Sequence, residues 1–142
     1  MIDRLSHWSP QGLGLLRIIT ALLTIEHGTQ KYFAFPQSDY FPEAPAVISL
    51  MGIAGLIELV GGVLILVGLF TRPAAFILSG FMAAAYFMGH ASQGVFPANN
   101  GGDAAILFCF IYFYLIFAGP GAWSVDGARQ GARLNHPAKH SA

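Results

Sequence analysis

Four apolar runs, separated by short polar or proline-bearing stretches, set the pattern of the chain and predict helices over about 12–33, 46–70, 73–90 and 104–118. Ser9-Pro10 supplies a start for the first, and Thr71-Arg72-Pro73 makes a tight connection between the second and third. Between the first and second lies Tyr32 to Pro45, with three prolines and five aromatic residues, which reads as a loop at a membrane interface. Gly89 to Asp103 is a polar loop, and Gly119-Pro120-Gly121 stops the fourth run. The roughly 15 residues of that last run give about 22 Å of helix, short for a hydrocarbon core of about 30 Å.

Polar residues inside these runs are not scattered. On a helix, Arg17, Thr20, Thr24, Gly28 and Lys31 fall within an arc of roughly 80 degrees, with His27 at its margin, so one face of the first helix should look into a bundle. Glu26 points the other way. In the second run, Glu58 stands alone among apolar residues, with Gly52, Gly55 and Gly62 on one stripe and Gly61 close by, a pattern that brings a neighbouring helix near. A carboxylate at that depth costs several kcal/mol, about 3 on insertion scales, unless it is paired, protonated or hydrated, so Glu58 is the leading candidate site residue.

Composition sharpens this into a class. Of the 142 residues, 55% are hydrophobic and 10% charged, against about 25% charged in an ordinary soluble domain. The expected fold is therefore all-α: an integral membrane four-helix bundle in one domain, with a mobile tail from about 127 to 142. Arg4, Arg72, Arg129 and Arg133 flank the runs on one side and Lys31 on the other, which predicts both termini in the cytoplasm. A secretory leader is disfavoured, because Arg17 interrupts the apolar stretch and no small-x-small cleavage site follows it. Seven basic and seven acidic residues leave no net charge, so nucleic acid is not an expected partner; membrane lipid is. Cys109 is the single cysteine, which excludes an internal disulfide or a CxxC redox pair.

Counting residues from the shared loop puts Arg17 and Glu58 within roughly 6 Å in depth. The plainer reading is a buried ion pair that specifies packing; the functional one is a polar intramembrane site at Arg17 and Glu58, with His27 and Lys31 near it. Asp126 competes as a partner for Arg17 or Arg72. A second polar group, Glu26, His27, Lys31, His90 and Asp103, gathers at the outer mouth. It reads chiefly as a hydrogen-bonded cluster, with substrate or proton entry as the other use. No HExxH and no paired histidine spacing is present, so neither a metal site nor a haem is expected. No cofactor site is evident beyond room for a quinone or lipid.

Several fragments in order carry a resemblance. Leu15-Leu16-Arg17, then His27-Gly28-x-x-Lys31, then Glu58-Leu59-Val60-Gly61-Gly62 with Gly68-Leu69-Phe70-Thr71-Arg72, and finally Gly119-Pro120-Gly121-x-Trp123-Ser124-x-Asp126 together resemble the DoxX family. The resemblance implies a four-helix protein of the bacterial cytoplasmic (inner) membrane, of a family whose named members accompany quinone-linked sulfur oxidation, terminal oxidases and oxidative-stress complexes. It carries over Arg17, His27, Lys31 and Glu58, and Arg72, Trp123, Ser124 and Asp126 as a cytoplasmic structural motif. It assigns a catalytic role to none of them. The expected function is an accessory subunit that holds a quinone or other amphiphile beside a redox partner protein. A small-molecule or proton-coupled transporter and a ligand-free membrane scaffold stand as alternatives, and the oligomeric state stays open.

Overall fold

The computed structural model describes residues 5–37 and 43–135; Arg4, part of the interfacial stretch (38–42) and the end of the tail (136–142) lie outside the described residues. The described residues are all-α. The long helices are α1 (Ser9–Phe33), α2 (Leu50–Val67), α3 (Thr71–Gly89) and α4 (Asp103–Ala118), with an amphipathic α5 (Val125–Asn135) after them. A 3-10 turn, Ala91–Gln93, and a single turn, Pro97–Asn100, join α3 to α4.

Two differences from the expected boundaries have local causes. Helix α2 begins at Leu50 rather than 46 because Ser49 caps it, its hydroxyl accepting from Gly52 N at 3.1 Å. It ends at Val67 rather than 70 because Gly68 turns left-handed, at φ +66°, and lets its own N–H and that of Leu69 close on Ile65 and Leu64 carbonyls. A Cβ at Gly68 would also overlap Ser124, so the chain can pass here only with glycine. Part of the expected tail carries secondary structure: from 127, residues up to Asn135 are helical. Ser124 starts that helix by accepting from Gly127 N at 3.2 Å, and Asp126 and Arg133 sit at the ends that suit their charges.

Helix α1 packs along α2, α3 packs along α4, and α2 against α3 joins the pairs. The α1–α2 seam is close because of glycine: a Cβ at Gly62 would lie 2.7 Å from Ile25 Cγ1 and 3.3 Å from its amide nitrogen. Ala21, Ile65, Ala75, Leu78, Tyr112 and Leu115 form the middle of the core.

Two helices, Leu50–Val67 and Thr71 onward to Gln93, are long and apolar enough to cross a membrane. Only 28% of each is buried within the chain, so most of their apolar surface faces outward. A soluble core helix would be mostly covered; these instead present Ile53, Val60, Phe76 and Phe87 to the surroundings. Helix α1 is longer but interrupted by Arg17, Glu26 and Lys31, and α4 has 16 residues.

Candidate functional site

Gly14, Arg17, Thr20, Ala21, Thr24, Gly28 and Lys31 are the buried residues of α1, so the polar arc faces inward. Its two cations part company. The expected Arg17–Glu58 pair does not form: Glu58 pairs with Lys31, whose Nζ donates to Oε1 at 2.7 Å and to Oε2 at 2.5 Å. Register along the α1–α2 seam explains this: Gly28 packs against Gly55 and Leu59, level with Glu58, whereas Arg17 lies eleven residues or about 16 Å away, beside Gly68. Side chains on α1 also lean toward its own N-terminus, so Lys31 reaches back to the level of Glu58 while Arg17 reaches further from it.

Arg17 is fully buried and is held by backbone instead. Its Nε donates to Pro120 O (2.8 Å), Nη1 to Ile65 O (2.6 Å) and Leu66 O (2.5 Å), and Nη2 to Ala122 O (3.1 Å) and Trp123 O (2.8 Å). A guanidinium has five N–H donors, and five carbonyls meet them. Two belong to the last turn of α2, where the helix dipole presents partial negative charge. Arg17 thus ties α1, the end of α2 and the 120–123 loop into one joint.

Three other members of the motif at this end, Asp126, Arg72 and Ser124, cap helices. Asp126 does not pair with Arg17 or Arg72; its Oδ1 and Oδ2 accept from Phe70 N (3.1 Å) and Thr71 N (2.8 Å), closing the exposed N-terminus of α3, whose own N-cap residue has no capping side chain. Partial burial alone would raise the Asp126 carboxyl, but those N–H groups and nearby Arg129 outweigh it and hold the group below the usual carboxylate range. Arg72 donates to Ile116 O (2.5 Å) and Phe117 O (2.8 Å) at the end of α4. Ser124 caps α5, and Trp123 is exposed in a left-handed turn, at φ +55°.

At the opposite end the buried Lys31–Glu58 pair borders a cavity of about 410 Å³. His27, His90 and Gln30 share its lining, and Phe81, Met82 and Phe108 make an apolar wall. Of the outer polar cluster, His27, His90 and Lys31 therefore come together here, joined by Glu58; Glu26 and Asp103 are exposed and do not line it. His27 Nδ1 is 2.8 Å from Leu23 O, with its ring edge-on to Phe108. His90 Nδ1 is 3.0 Å from Asn100 O. Asp103 opens α4, where a negative charge suits the dipole. Among the described residues, no three His, Cys, Asp or Glu side chains converge as a metal-ligand set.

Between the two ends runs a link the sequence reading does not isolate. Tyr112, fully buried on α4, lies with its hydroxyl 2.6 Å from Thr24 Oγ1, and Thr24 donates to Thr20 O at 3.0 Å. Tyr112 is one of six aromatics spread evenly round α4, so only the inward position of Thr24 on the α1 arc hints at it.

Residues 12–91 match the model of the family described as DoxX, more than half the chain. The chain belongs to the DoxX family. The matched segment holds Arg17, Lys31, Glu58 and both histidines of the cavity; the Gly119–Asp126 motif lies beyond it. Over 128 residues this DoxX chain is 42% identical to a Haemophilus influenzae protein described as "Uncharacterized protein", covering 88% of this chain and 96% of that one. It is 30% identical over 118 residues to "Inner membrane protein YqjF" of Escherichia coli, covering 81% and 89% respectively. No solved structure matches.

Proposed function

We propose that this DoxX protein is a four-span inner-membrane subunit, both termini in the cytoplasm, that holds the polar head of an amphiphile, a quinone or a lipid, against Lys31 and Glu58 beside a redox partner. One observation carries the reading: a buried ion pair opens onto a cavity whose remaining wall is largely apolar. Its volume falls within the usual range for small-molecule sites, roughly 300–1,000 Å³. A pair meant only for packing would be better closed over, since water reaching it weakens the attraction.

The donor set fits a quinone head. The cavity offers cationic Lys31 and the imidazoles of His27 and His90 to carbonyl oxygens, and Phe81, Met82 and Phe108 to a ring and its tail. A bound quinone would supply two-electron chemistry; the chain's own part is to bind and orient the head. Inner-membrane placement is supported by the outward apolar faces of α2 and α3 and by the printed name of the Escherichia coli relative. The redox association rests on the family resemblance. Arg72, Arg129 and Arg133 at one end and Lys31 at the other support the orientation.

Extraction into native nanodiscs followed by mass spectrometry tests this. A quinone or a defined lipid should copurify with the wild type and be depleted by Glu58→Gln. Equal content in both would sink the proposal and leave the scaffold reading. The transporter reading draws on His27 and His90 sharing the cavity with Glu58, three side chains whose chemistry allows a proton to be passed between them; substrate-dependent proton uptake by proteoliposomes would favour it.

A further inference from the structure

The Arg17 end carries a second concavity, also about 410 Å³, between α5, the start of α3 and the loop after α4. Arg72, Arg129 and Arg133 converge on it from two elements, with Asp126, Gln130 and Phe70 also in its wall. Arg129 and Arg133 stand one turn apart on one face of α5, as do Asp126 and Gln130. Three arginines less one aspartate leave the cleft with a charge of +2. The aspartate does not turn its charge on a ligand freely: both its oxygens accept backbone N–H groups of Phe70 and Thr71. Arg72 is anchored through Nη1 to the α4 carbonyls, so one cation is fixed while the other two sit on the exposed face of α5.

Around this charge the surface is aromatic. Phe70, Phe117 and Trp123 are all well exposed at the same end of the molecule, the pattern of a membrane–water boundary. An amphipathic helix with arginines on one face, beside exposed aromatics, lies in such a boundary with its cations at headgroup level.

We infer that the cleft formed by Arg72, Arg129 and Arg133 binds the phosphate of an anionic phospholipid headgroup, its acyl chains running along the exposed aromatic rim. Guanidinium forks suit phosphate oxygens, and the net positive cleft discriminates against zwitterionic headgroups, whose choline would meet the same arginines. This site is separate from the Lys31–Glu58 cavity and does not depend on what that cavity holds.

The full chain in mild detergent, titrated with phosphatidylglycerol or phosphatidylcholine of matched acyl chains and read by native mass spectrometry, tests the inference. Phosphatidylglycerol should bind more tightly. Arg129→Gln with Arg133→Gln should weaken it by roughly fivefold per arginine while leaving phosphatidylcholine unchanged. Arg133→Gln alone, on the exposed last turn of α5, should show the single step with the fold intact. Equal affinity for the two lipids, or phosphatidylglycerol binding unchanged in the double variant, overturns the assignment. So does displacement of the lipid by inorganic phosphate at matched ionic strength, which would make the cleft a site for a soluble anion.

Discussion

Arg17 and Lys31 lie on the same face of α1, about 21 Å apart along its axis, and both are buried, yet their charges are met in opposite ways. Arg17 is surrounded by five backbone carbonyls from two segments, the end of α2 and the 120–123 loop. Dipoles neutralise it, none of them can gain or lose a proton, and every N–H is occupied. Lys31 is met by the Glu58 carboxylate, a titratable group, at the edge of a cavity. The first arrangement is a joint: it fixes where α1, α2 and the 120–123 loop meet. The second can exchange partners, because water or a ligand head in the cavity could replace either member. Burying a cation therefore says little about function; what compensates it, and whether space adjoins it, says more.

Breaking the joint should have the largest effect. Arg17→Leu removes all five of these bonds, leaving the Ile65 carbonyl with only the Gly68 N–H and depriving four partly buried carbonyls of the guanidinium, and should cost on the order of 4 kcal/mol or abolish folded yield, read by thermal unfolding in detergent. Arg17→Lys should recover only part, since an ammonium has three donors and no planar fork. Near-normal stability in Arg17→Leu would show that the carbonyls find other partners and that the joint is not structural. At the opposite end, Glu58→Gln should cost less, about 2 kcal/mol, because the cavity lets the stranded Lys31 hydrate. Replacing both, Lys31→Met with Glu58→Leu, should be milder in stability than Glu58→Gln while emptying the cavity of ligand. A double variant less stable than the single would mean that the pair is needed for packing.

This contrast also marks how far the sequence could be read. Helical periodicity gives the elements and the inward arc of α1, because those depend on which residues are apolar and on 3.6 residues per turn, both visible in the chain. It does not give Arg17's partners, since carbonyls are common to every residue and only the fold selects five of them. Charge matching joins Arg17 to Glu58 only if α2 starts at 46; with its start at Leu50, Glu58 lies level with Gly28 and out of reach of Arg17, a shift that no residue pattern announces. The same blindness hid the tasks of Arg72 and Asp126, which cap α4 and α3 rather than each other. Helix α5 was obscured because its small and polar residues read as a tail, although Ser124, Asp126 and Arg133 already stood where a helix wants them.

Smaller changes probe how independent the two ends are. Tyr112→Phe removes the hydroxyl that joins α4 to Thr24 midway between them, while Thr24 keeps its bond to Thr20 O. A cost of about 1 kcal/mol in unfolding free energy is expected, with ligand content unaltered. Ligand loss in Tyr112→Phe would show that the link holds the cavity open and that the ends are coupled.

Asp126 gives the smallest and most selective test, because only the Arg17 end should respond. Asp126→Ala uncaps α3 and should cost about 0.5–1 kcal/mol, a cap in a partly solvated setting. Its carboxyl is held below the usual carboxylate range in the fold and returns to that range when unfolded. The folded state therefore prefers the ionised form: the contribution is present in full above the unfolded value and is lost as pH falls through the folded one. The stability difference between wild type and Asp126→Ala, measured by unfolding at a series of pH values, should be constant near neutrality and should shrink below about pH 4. A difference that survives full protonation would mean that the side chain holds α3 by shape or by a neutral hydrogen bond, and that charge at this end serves only Arg17 and the arginine cleft.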